Sequence, residues 1–153
     1  MTEFNELVEK FKTKLKITQE TQKYKDEVIL PLINEIYDSE FVNVFNNLVD
    51  DLNERVGSKV VGFNADSKNR FTVEGMYHRL IFQKSRIEIY ENLVSLNIVP
   101  LYIWKGTTKH IGIITMFLNP ETNEVKWEIP FNNVKDYAIK LFDGLINDVD
   151  FGM

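Results

Sequence analysis

The stretch Leu96–Leu118, LNIVPLYIWKGTTKHIGIITMFL, constrains this chain more than any other. It reads as two strands joined at Lys105–Thr108, and neither strand has a polar side. In the first, Leu96, Ile98, Tyr102 and Trp104 fall on one face, and Val99, Leu101 and Ile103 fall on the other. In the second, Ile111, Ile113, Thr115 and Phe117 alternate with Gly112, Ile114, Met116 and Leu118. Successive side chains of a strand point to opposite faces of its sheet. Strands that are apolar at nearly every position therefore need cover on both sides, unlike a half-wetted antiparallel strand. The expectation is the middle of a sheet, with helices on one face and something else on the other.

Around this hairpin the periodicity changes twice. Residues 3–16 predict an amphipathic helix, with Phe4, Leu7, Val8, Phe11 and Leu15 at three- and four-residue spacing. A second helix is expected over 19–37, capped by Thr18 and kinked or split near Leu30 by Pro31, which removes a backbone donor and clashes with the preceding turn. Asp38–Ser39 reads as the cap of a third helix that carries Phe41, Val44, Phe45, Leu48, Val49, Leu52 and Val56 and ends at Gly57. Beyond it, strands are expected at Lys59–Asn64, at Arg70–Gln83 with a bulge near His78–Arg79, and at Arg86–Tyr90 after a tight connection at Lys84–Ser85. The turn Asn119–Asn123 leads into Glu124–Ile129, where apolar and charged residues alternate as on a half-exposed strand near an edge. The last helix begins near Asn132 or Asn133 and presents Val134, Tyr137, Ala138, Leu141, Phe142, Leu145, Ile146 and Val149.

The expected fold class is therefore α+β, as one domain over residues 1–153. It consists of N-terminal helices, an antiparallel meander sheet of about six strands, and a C-terminal helix packed on the sheet. A chain of 153 residues suits one buried core.

Composition narrows function mainly by exclusion. The absence of cysteine rules out a disulfide framework, a thiolate metal site and a cysteine nucleophile. Two histidines make a nitrogen-rich metal site a poor expectation, and no glycine-rich phosphate loop, HExxH or GxSxG motif occurs. No cofactor and no metal are expected. The N-terminus has no apolar signal segment and no run reaches membrane-spanning length, so a cytoplasmic location without a membrane is the expectation. Lysine outnumbers arginine 14 to 4, a codon bias that hints at bacterial or phage origin.

Charge is uneven. Residues 1–57 carry a net −5, residues 58–109 a net +4, and residues 110–153 a net −4. The simplest account is mutual compensation within the fold. A second account notes that Lys68, Arg70, Arg79, Lys84, Arg86, Lys105 and Lys109 interleave with Phe71, Tyr77, Tyr90 and Trp104, a pattern that could track a nucleic-acid backbone and stack bases. The acidic balance of the whole chain, −5, argues against it. Glu74, His78 and Arg79 form the one cluster with acid–base character, but regular strand geometry sets Glu74 and His78 roughly 13 Å apart, too far for a direct proton relay.

The function expected from these features is a non-enzymatic protein-interaction factor of the inhibitor, immunity or accessory type. Its partner is a protein, with a homodimer as one form. The alternatives are a small apolar ligand binder of helix-grip-like layout and a nucleic-acid binder using the 58–109 region. The residues set apart as interaction or ligand contacts are Tyr77, His78, Arg79, Arg86, Tyr90, Tyr102, Trp104 and Trp127.

Overall fold

A computed structural model describes residues 2–90 and 93–146. By its contacts the chain divides into two compact units, Met1–Ile36 and Tyr37–Met153.

The first unit begins with helix α1 (Thr2–Tyr24), followed by a π-helical turn (Lys25–Ile29) and the start of α2 (Leu30–Tyr37). The sequence suggested two helices divided near Thr18. Instead α1 runs through that point, and the Thr18 hydroxyl donates to the Lys14 carbonyl inside the helix rather than capping a new one. The break expected at Pro31 appears one turn earlier, as the π turn. There the Leu30 amide reaches back to Lys25, five residues away.

The second unit holds a further π turn (Asp38–Val42), helix α3 (Asn43–Val56), seven strands and helix α4 (Val134–Ile146). Asp38 and Ser39 do not cap α3, since the chain is already helical there. Gly57 does end it, at φ 82°, a left-handed conformation that costs glycine little. The strands are β1 (Gly62–Ser67), β2 (Arg70–Glu74), β3 (His78–Tyr90), β4 (Leu93–Trp104), β5 (Thr107–His110), β6 (Ile114–Asn119) and β7 (Glu124–Glu128). They form one antiparallel sheet in the order β1-β2-β3-β4-β6-β7, with β5 pairing the far end of β4. This is the expected α+β meander, with seven strands in place of about six.

Three boundaries move for identifiable reasons. Lys59–Val61 is not strand, because the Asn53 side chain binds it. Its oxygen accepts the Val60 and Val61 amides at 2.9 and 3.0 Å, and its amide donates to the Val61 carbonyl at 2.7 Å. Asn53→Ala strips three partners from half-buried backbone and is expected to cost roughly 1–3 kcal/mol, read as a lower urea midpoint at unchanged slope. The expected long strand Arg70–Gln83 is a hairpin. It turns at Gly75–Tyr77, where the Gly75 amide donates to the His78 carbonyl at 2.8 Å, and what looked like a bulge at His78–Arg79 is the start of β3. Conversely, Lys84–Ser85 is no turn. It opens a register shift between Lys84 and Ile87 inside a continuous β3, and one extra residue resets the alternation much as a turn would.

The core lies on one face of the sheet, here called the inner face. Phe71 and Val73 of β2, Leu80 and Phe82 of β3, Val94, Leu96, Ile98 and Tyr102 of β4, and Ile114, Met116 and Leu118 of β6 are all buried there. Phe41 and Phe45 lay their rings against Phe71 and Phe82 with centroids 4.7–5.8 Å apart, and Phe142 of α4 meets Phe45 at 5.9 Å. The C-terminal helix meets α3 through Phe142 and also stands against the β2–β3 turn, where Leu145 faces Gly75. Trp127 stacks on Phe41 at 5.4 Å and its indole N–H donates to Glu40. Tyr37 is buried beside this cluster. Burial, with Asp38 adding to it, pushes its phenol well above the usual tyrosine range, and among the described residues its hydroxyl has no hydrogen-bond partner.

Candidate functional site

The other face of the same strands is where the structure departs most from a closed core. Pairing sets Ile81 opposite Leu101, Arg79 opposite Ile103 and Gln83 opposite Val99, all with odd parity to the buried residues. On the neighbouring strands, Thr72 and Glu74 of β2, Thr115 and Phe117 of β6, and Lys126 of β7 share this outer face. Val99, Leu101, Ile103 and Phe117 are half-buried, while Ile81 is 9% exposed. Every ring contact seen between the helices of this unit and the sheet engages the inner face. The expectation that both faces of the central hairpin are apolar thus holds as geometry, with the outer face only half withdrawn from water.

That outer face has an apolar centre and a polar margin. Arg79 pairs with Glu74 at 3.8 Å on one side. Asp66 accepts from the Thr72 hydroxyl at 2.5 Å and from Arg70 at 3.3 Å. Thr115 donates to Asn97 at 3.0 Å on the other side. A groove of about 450 Å³ runs along the margin past Leu93, Phe117, Val125 and Lys126. Apolar centres ringed by polar groups that already have partners are the anatomy of protein–protein interfaces.

The residues set apart by sequence scatter. His78, Tyr102 and Trp104 do come together, at the inner-face end of β3 and β4. Tyr102 Oη and His78 Nδ1 share a short hydrogen bond, and the His78 ring stacks on Tyr102 and Trp104 at 5.4 and 5.8 Å. Both His78 and Tyr102 are nearly inaccessible. Beside them, Tyr102, Trp104, Thr107 and Lys109 line a cleft of about 220 Å³, below the roughly 300–1,000 Å³ that small-molecule sites occupy. Arg79 lies on the opposite face, Tyr77 is exposed in the hairpin turn, and Tyr90 is exposed at the far end of β3. Arg86 is exposed and paired to Glu88 at 3.0 Å, and Trp127 belongs to the aromatic cluster. Glu74 and His78 project from opposite faces, so they form no acid–base pair.

The basic residues of 58–109 do not form a bare stripe either. Arg70, Arg79 and Arg86 each hold a carboxylate, Lys84 sits 4.6 Å over the Tyr37 ring, and Lys105 sits 4.5 Å over Trp104. Partial burial pushes the Lys84 ammonium below the ordinary lysine range, opposed by Asp38 and reinforced by Lys68. Compensation is therefore local, within the sheet and its hairpins, rather than between sheet and helices alone. Among the described residues no cluster of three or more histidines and carboxylates is placed to hold a metal ion, and no helix is long and apolar enough to cross a membrane.

The outer-face row lies apart from the residues set apart by sequence. Val99, Leu101, Ile103 and Phe117 carried a signal, the missing polar parity, but aromatic and basic residues drew the attention instead. Comparison with known proteins returns no relative: no family model, no curated protein and no solved structure matches the chain.

Proposed function

We propose that this chain is a non-enzymatic protein-interaction factor, of the inhibitor, immunity or accessory type, and that the outer face of its sheet receives the partner. The observation that carries this reading is the half-buried row Val99, Leu101 and Ile103 beside Ile81, on the face opposite the helices of the second unit. Apolar surface left partly wet costs stability relative to cover, at about 25 cal/mol per Å², and a protein partner supplies that cover. The Glu74–Arg79 pair at the margin sets orientation more than affinity. A folded partner with an apolar ridge and a polar surround suits such a face.

The test places a photo-crosslinking residue at Leu101 and, as control, at exposed Tyr90. The protein captured from 101 alone is then purified and titrated against wild type and Leu101→Arg. Binding is expected to weaken by at least a hundredfold in the variant, with amides of 79–83 and 99–103 protected from hydrogen exchange in the complex. Equal binding by Leu101→Arg, or capture from 90 as readily as from 101, would remove the outer face as the contact.

A further inference from the structure

We draw no further inference here: the strongest candidate, the apolar stripe of Phe4, Leu7, Val8, Phe11 and Leu15 along helix α1, has none of its side chains buried, and nothing in the structure shows what covers it.

Discussion

Replacing Ile114 by aspartate is expected to abolish folding, while the same change one residue earlier, Ile113→Asp, leaves the protein folded. Ile114 is 1% exposed and sits opposite Ile98, itself fully buried, in the centre of the inner face. A carboxylate there loses its hydration without gaining a partner. The cost, even after its pKa rises to shed the charge, is several kcal/mol, comparable to the roughly 5–15 kcal/mol that holds a domain together. Ile113 reads in the sequence as an equally central strand position, and that reading is wrong. It is 65% exposed, in the break between β5 and β6, next to Gly112 at φ 90°. At that value the chain leaves the extended conformation, so Ile113 is lifted out of the sheet before β6 begins. Circular dichroism and urea titration of the two variants decide the matter. A folded Ile114→Asp or an unfolded Ile113→Asp would place the start of β6 elsewhere.

The second large effect belongs to Phe82. Its ring is fully buried and lies 5.5, 4.7 and 4.9 Å from those of Phe41, Phe45 and Phe71, so it joins the second π turn, α3 and β2 at one point. Phe82→Ala is expected to cost about 3–5 kcal/mol, the lost transfer energy plus the cavity left among rings that cannot all move inward. Phe63 offers the contrast. It stacks on Phe71 at 5.5 Å but is half-buried on β1, so Phe63→Ala opens onto solvent and costs less. Urea midpoints at a common slope separate the two cleanly. If both variants lose the same stability, the aromatic cluster is not the centre of the core.

Much of the architecture was legible because it depends on local period. The amphipathic pattern of 43–56, the stop at Gly57, the turn before β7 and the alternation along β7 are each stated by residues within a few positions of one another. The failures share another cause. Val60 and Val61 have strand propensity, but the Asn53 side chain takes their hydrogen bonds, and nothing local announces that. The run Leu80-Ile81-Phe82 is buried on both faces, so it broke the alternation and hid a hairpin turn before it and a bulge after it. Among the selected aromatic and basic residues, Trp127 stacks on Phe41, a partner from far away in the chain that no local period places beside it.

Sequence alone therefore determined the class of fold and the apolar character of the central hairpin, since both follow from the spacing of side chains along one strand or helix. Tertiary structure alone decided which side of that hairpin meets α3 and the π turn before it, which cations are already neutralised, and that His78 faces Tyr102 instead of Glu74. Those are facts about residues brought together from distant positions, and a period of two or 3.6 carries no record of them.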